Sequence, residues 1–310
     1  MRPATGAPRP EILPQDLPND PLTFVHRTDA WDLTRRARVV GILNLTPDSF
    51  FDGGLYTTPE SALARAEAIA SEGADAIDVG GQSTRPGSAS LGPEAEWRRL
   101  KPALRAIVAR VSLPVSIDTY HAEVARRALD EGVSIVNDVS GLGVDPALAD
   151  ATAHAKAGLI LMHSHGAPDG LHAPREYSDV AGHVRAFLEE RMLLAEARGV
   201  ARERIALDPG IGFSKRAGQS LEVLRGLPRL RLLNRPIYVG LSRKSFLGAL
   251  TGEPKEGRLA AGLAATVMAF TLGARIFRTH DVRDTLAALR LAERLLPDAA
   301  LAPLEQGADR

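Results

Sequence analysis

Val39-Val40-Gly41-Ile42-Leu43-Asn44-Leu45-Thr46-Pro47-Asp48-Ser49-Phe50-Phe51-Asp52-Gly53-Gly54 is the stretch on which the reading of this chain turns. Its first half, Val39–Leu45, is apolar and β-branched, as a strand buried on both faces is. Its second half is a Thr-Pro turn followed by acids, aromatics and glycines. A buried strand that opens into a polar loop is how a barrel enzyme presents functional side chains.

Working outward, seven further runs have the same character: Ala76–Gly80, Val115–Asp118, Ile135–Val139, Leu159–His163, Ile205–Asp208, Ile237–Leu241 and Arg275–Thr279. Between them lie Ala/Leu/Arg/Glu-rich segments of helical period, such as Glu60–Glu72, Glu94–Arg110, His121–Glu131, Val180–Arg198 and Ala260–Leu272. Eight β-α alternations over roughly 250 residues predict an α/β fold of the (β/α)8 TIM-barrel type. An open doubly wound sheet is the alternative. It usually carries a Gly-rich dinucleotide loop after its first strand, and no GxGxxG follows Val39–Leu45. The barrel is expected over residues 31–297 as a single domain. Residues 1–30 hold six prolines and read as a poorly ordered arm, or alternatively as an extra strand or plug at the barrel bottom. Residues 298–310 read as a tail.

The 310 residues are 45% apolar and 25% charged, with 38 basic and 38 acidic side chains, so a nucleic-acid-binding stripe is not expected. Cysteine is absent, which excludes disulfides, thiolate nucleophiles and Cys-ligated zinc. The N-terminus shows no apolar core of a signal peptide and no run approaches the ~20 residues of a membrane span. A cytoplasmic protein without membrane contact is the expectation.

In a barrel, chemistry sits at the C-terminal strand ends, and here each end turns polar: Asn44; Gly80–Gly87; Asp118-Thr119; Asn137-Asp138; Met162-His163; Asp208–Lys215; Gly240–Ser245; Arg278–Val282. Asp118, Asn137, Asp208 and Lys244 would converge as two carboxylates, a carboxamide and an ammonium. That set suits a heterocycle with an amino-pyrimidinone edge, whose donors meet the carboxylates and whose oxo group meets the lysine. Structural caps and salt bridges are the bland alternative for each residue alone. Arg278 and His280 are two apart on one strand and so share a face, which points to an anion site near strands 7 and 8. His163 and His165 lack a carboxylate at confirming spacing, and a transition metal is not expected there.

Taken together these strings resemble the dihydropteroate synthases, the folate-pathway enzymes that sulfonamides inhibit. The resemblance runs from about Val39 to about Leu295 through Gly41–Gly54, Gly80–Gly87, Ile117–Thr119, Asn137-Asp138, Leu161–Pro168, Asp208–Lys215, Ser242–Ser245 and Arg278–Val282. It implies condensation of 6-hydroxymethyl-7,8-dihydropterin diphosphate with 4-aminobenzoate to give 7,8-dihydropteroate and pyrophosphate. It further implies that Asp118, Asn137, Asp208 and Lys244 hold the pterin. Asn44 would contact Mg²⁺, which with Arg278 and His280 neutralises the diphosphate. Phe50 and Asp52 would belong to a first mobile loop, Thr84 and Arg85 to a second. Phe213, Pro86, Ser242 and Lys244 would border the aminobenzoate site. Met162, Lys215 and Thr279 complete the implied substrate-binding set, and Asp52, Arg85 and Lys244 are the implied catalytic residues. A homodimer is implied by the family alone.

Three positions depart from the family pattern. Gln82 stands where Glu is usual, Ser164-His165-Gly166 where Met-Gln-Gly is usual, and Ser214 where Gly is common. Gln82 is expected to alter loop anchoring and His165 to reshape the pterin wall. Two other functions compete: a methyltetrahydrofolate-corrinoid methyltransferase, which shares a pterin site but needs no diphosphate site, and an idle synthase paralogue that binds pterin or a partner. Asp52, Arg85, Arg278 and His280, all present, argue against the paralogue.

Overall fold

The computed structural model describes residues 22–46, 58–82, 90–165, 171, 173 and 175–296. Eight parallel strands close into a barrel in chain order: β3 (Arg38–Asn44), β4 (Ala76–Gly80), β5 (Val115–Asp118), β6 (Ile135–Asp138), β7 (Gly158–Met162), β8 (Ile205–Asp208), β9 (Ile237–Gly240) and β10 (Ala274–Thr279). Closure is made by β10 against β3, with Phe277 opposite Val39 and Arg278 opposite Val40. The connections carry α1 (Pro59–Ser71), α2 (Pro93–Arg110), α3 (Ala122–Asp130), α4 (Ala147–His154), α5 (Val180–Ala197), α6 (Ala217–Arg225), α7 (Leu227–Arg231), α8 (Ser245–Thr251) and α9 (Leu259–Thr271). The last helix, α10 (Val282–Leu295), packs on α9 and β3. The eight-stranded expectation is met at every strand.

Alternation along each strand divides the side chains between two cores. Val39, Leu43, Ile77, Val79, Ile117, Val136, Leu159, Leu161, Leu207, Val239 and Phe277 face the helices and join the large outer core. Val40, Ala76, Ile135, Ile160, Ala206, Tyr238 and Ile276 face inward and form one layer across the barrel interior. One step further up the same inward rows come Ile42, Asp118, Asn137, Met162, Asp208, Gly240 and Arg278, which line a cavity. The barrel is therefore oily at its lower layer and polar at its upper one. Gly41 is required on the outer face of β3: a Cβ there would lie 2.3 Å from Ile69 Cγ2 of α1.

The lower layer is sealed from below by an antiparallel hairpin, β1 (Thr23–Val25) and β2 (Ala30–Asp32). Phe24, Trp31 and Leu33 are buried and pack into the inner layer. Arg235 ties the hairpin to the barrel by donating to the carbonyls of Thr23, Ile205 and Glu203. A poorly ordered arm reaching residue 30 is thus corrected for residues 22–30, where the plug alternative applies. Proline content predicts low regularity, but Phe24 and Trp31 bury large aromatic area, and that outweighs it. Residues 1–21 and the tail after Leu296 lie outside the described residues. No described helix is long and apolar enough to cross a membrane.

Candidate active site

The polar layer opens at the C-terminal ends of the strands into a cavity of about 250 Å³. Asp118 and Asn137 lie side by side in register on β5 and β6, and Met162 and Asp208 do the same on β7 and β8. Ile42, Val139, Ile211, Met162 and Phe213 supply the apolar lining. A flat ring bound here would meet apolar faces and a polar edge, as cofactor-sized ligands do.

The acids are poised by burial. Asp208 accepts the Gly210 N–H at 2.7 Å. Burial pushes its carboxyl up to about 6, partly offset by that hydrogen bond and by Lys244 and Lys215. Burial likewise raises Asp118 to about 7 against the pull of Arg278, with Asp78 raising it further. Each carboxylate therefore gains from a donor-bearing ligand, which favours the ionised form. Lys244 is lowered to about 8 by burial, and its Nζ sits 3.7 Å from the centroid of the Phe213 ring. The ring face attracts the ammonium and holds it at the cavity wall, against the desolvation that disfavours its charge.

Arg278 is the hub. Its Nε donates to Asp78 Oδ2 at 2.6 Å and a terminal nitrogen donates to Asp118 Oδ2 at 3.0 Å, while Asn137 Nδ2 reaches the same Asp78 oxygen at 3.1 Å. Burial opposes its charge, but the two carboxylates hold its pKa above the ordinary arginine value. Asp78, fully buried in the middle of β4, is a member of this network that sequence reasoning missed. Its signal was present: an acid inside the otherwise apolar run Ala76-Ile77-Asp78-Val79-Gly80, where an unpaired charge is untenable.

The rim is cationic. Arg243, Lys244, Lys255 and Arg278 all line the cavity together with Ser242, Ser245 and His280. Arg243 makes a bidentate pair with Asp281, and Ser242 Oγ lies 3.2 Å from His280 Nδ1. Burial, Arg278 and Arg243 lower His280 to about 3. It is therefore a neutral hydrogen-bonding group at pH 7, and charge neutralisation at the rim belongs to the arginines and lysines.

Of the residues singled out from the sequence, Asn44, Asp118, Asn137, Met162, Asp208, Phe213, Ser242, Lys244, Arg278 and His280 line this one cavity. Thr279 does not. It alternates with Arg278 and His280, so it faces the helices, where its hydroxyl accepts from Asp281 N and Thr285 Oγ1. The two-residue period already excluded it. Lys215 is also absent from the lining. Its Nζ is spent on the carbonyls of Gly210 and Phe213 and on His163 Nδ1, so it braces the loop after β8. Phe50, Asp52, Thr84, Arg85 and Pro86 lie outside the described residues.

That loop has a strict local requirement. Gly210 adopts φ +64°, and a Cβ there would fall 2.0 Å from the His163 carbonyl oxygen. Ser214 also has positive φ, at 51°, and its N–H and hydroxyl both donate to Leu171 O. Those bonds offset the strain that a glycine would avoid. Gln82 is held at both ends of its amide: Nε2 donates to Glu96 Oε2 at 2.8 Å, and Oε1 accepts from Tyr120 Oη and Leu91 N. It fastens the chain where it re-enters α2. His165 is not among the cavity-lining residues and packs with His163, Tyr177 and His183, so a reshaped cavity wall is not its effect in the described residues.

A family model described as "Pterin binding enzyme" matches residues 40–280. The chain is 42% identical over 266 residues to the dihydropteroate synthase of Synechocystis, covering 86% of this chain and 92% of that protein. Among solved structures, Xanthomonas albilineans dihydropteroate synthase with 4-aminobenzoic acid superposes with TM-score 0.81 at 41% identity, covering 90% of this chain and all of that one. The same enzyme in complex with 7,8-dihydropteroate gives TM-score 0.78 at 38% identity, covering 89% and 100%. A cavity with acids on its wall and cations at its rim, in a chain matched by relatives along nearly their whole length, places this chain in the dihydropteroate synthase family of transferases.

Proposed function

We propose that the chain condenses 6-hydroxymethyl-7,8-dihydropterin diphosphate with 4-aminobenzoate to 7,8-dihydropteroate and pyrophosphate. One observation carries the reading: acids and an amide that suit a pterin edge share a single cavity with cations that suit a diphosphate. The pterin donors would meet Asp118, Asn137 and Asp208, and its oxo group Lys244. The diphosphate would meet the Arg243, Lys255 and Arg278 side, with His280 offering a neutral hydrogen bond. Asp78 and Asp118 already engage two nitrogens of Arg278, so the guanidinium is oriented before an anion arrives.

Asn44 offers a hard carboxamide oxygen on the cavity wall, which suits Mg²⁺, an ion that takes oxygen ligands and fills its shell with substrate phosphates and waters. Bound there, Mg²⁺ would supply charge neutralisation for the departing diphosphate. In the reaction the bond from the pterin methylene to the diphosphate oxygen breaks. Both electrons leave with pyrophosphate, and the resulting cation is delocalised into the dihydropterin. The buried carboxylates favour that charge. The aniline nitrogen of 4-aminobenzoate then forms the new bond and loses one proton. Asp52, Arg85 and Lys244 are the proposed catalytic residues, the first two belonging to segments outside the described residues. The homodimer expected of the family has a candidate face in the exposed Met268 of α9 and Leu291 and Leu295 of α10.

The test is direct. Purified protein with both substrates and Mg²⁺ should form 7,8-dihydropteroate and pyrophosphate in equal amounts. Pterin binding without any turnover would mark an idle paralogue and reject the reading.

A further inference from the structure

On the helix side of β7, behind the cavity wall, three histidines from two elements meet. His163 directly follows β7 and is fully buried, His165 comes two residues later, and His183 projects from the first turn of α5. One ring nitrogen from each lies within 4.8 Å of the other two. The ring centroids are 5.0 Å apart for His163 and His165, 5.5 Å for His163 and His183, and 5.3 Å for His165 and His183. Tyr177 packs beside them, 5.0 Å from His183.

The polar atoms of this cluster are not satisfied. His163 Nε2, His165 Nε2 and Tyr177 Oη are buried and have no hydrogen-bond partner among the described residues. A buried polar atom left unpaired is costly, and three in one place call for a common partner. Lys215 occupies His163 Nδ1, so Nε2 is the nitrogen that points to the cluster.

We propose that His163, His165 and His183 form a binding site for a divalent transition ion of the zinc class. The site is separate from the substrate cavity, whose described lining contains none of the three. Three imidazoles suit zinc well, and a fourth position is left for water or Tyr177 Oη. Zn–N bonds of ~2.0–2.1 Å in tetrahedral geometry set N···N near 3.4 Å, so the rings swing inward by roughly 1 Å from their present upper bound. Ligation through His163 Nε2 places the ring proton on Nδ1, on the side of Lys215. The ion would tie the chain after β7 to α5. Through the His163–Lys215 contact it would also stiffen the Asp208–Lys215 loop.

Untagged protein stripped with a chelator and dialysed against Zn²⁺ should take up one ion per chain, and the melting temperature should rise with Zn²⁺. Co²⁺ in its place should give the intense visible bands of four-coordinate cobalt. His165→Gln and His183→Gln should each weaken Zn²⁺ binding by more than ~100-fold, beyond the 10–100-fold that losing a ligand's supporting partner costs. Both variants should melt like wild type without zinc. Absence of stoichiometric uptake, six-coordinate cobalt spectra in the wild type, or zinc affinity that survives both substitutions would overturn the assignment. The cobalt spectrum is read on the unaltered protein, so it decides the matter even if a variant fails to fold.

Discussion

Asp208→Asn is the sharpest perturbation of the proposed pterin site. The carboxylate accepts the Gly210 N–H through Oδ1, a bond that an amide oxygen retains. The change therefore falls on the other oxygen, where an NH₂ donor would face the donors of the ligand. Hydrogen bonds to charged groups are worth about 1.5–3 kcal/mol, so the dissociation constant for the pterin diphosphate should rise roughly 10- to 150-fold. The apo protein should respond in the opposite sense. Asp208 is raised in the folded state to about 6, from an ordinary carboxyl value near 3.9. Ionising it opposes folding by up to roughly 3 kcal/mol. That penalty is absent below pH ~4, grows as pH rises to ~6 and is constant above. The Asn variant lacks it and should melt at or above the wild-type temperature at pH 7. Calorimetric titration across pH adds a third reading. Asp208 and Asp118 must both shed protons to bind, so log Kd should approach a slope of about two protons as pH falls below both values, and about one in the variant. Wild-type affinity at pH 7, or a variant that loses affinity only because it unfolds, would refute the assignment of Asp208 to the ligand.

Three further outcomes follow from the packing. Phe24→Ala, at a fully buried position of the hairpin, should lower stability by about 3–5 kcal/mol in chemical unfolding; a loss below 1 kcal/mol would mean that the hairpin is not part of the core. Gly210→Ala sets a Cβ against the His163 carbonyl and should displace the loop carrying Phe213, measured as at least a tenfold loss of aminobenzoate affinity with pterin present; unchanged binding would show that the loop tolerates the shift. Gln82→Glu puts a carboxyl beside Glu96, whose own pKa is raised to about 7 by burial. The pair keeps its bond only while one member is protonated, so the melting temperature of the variant relative to wild type should fall as pH rises through 7 to 9. A pH-independent difference would exclude that coupling.

Much of the molecule was legible in the chain itself, because buried parallel strands must be apolar along their whole length and each polar strand end therefore stands out. The eight runs, their order and their polar ends follow from that rule, whereas Met162, Phe213 and Ser242 are implied by the family resemblance. The two-residue period separates Arg278 and His280 from Thr279 without any coordinates. Other features were decided only by folding, since they depend on which distant segments meet. Nothing local marks Phe24 and Trp31 as the floor of a barrel; they become core because an eight-stranded barrel leaves an open apolar end that some segment must fill. Asp78 reads as an anomaly until Arg278, 200 residues away in sequence, closes the barrel beside it and turns a buried charge into half of an ion pair. His163 and His165 look like an incomplete pair until α5 brings His183 to them. A strand pattern is a local property of side-chain alternation and burial, whereas a charge partner or a third ligand is a property of barrel closure and helix packing.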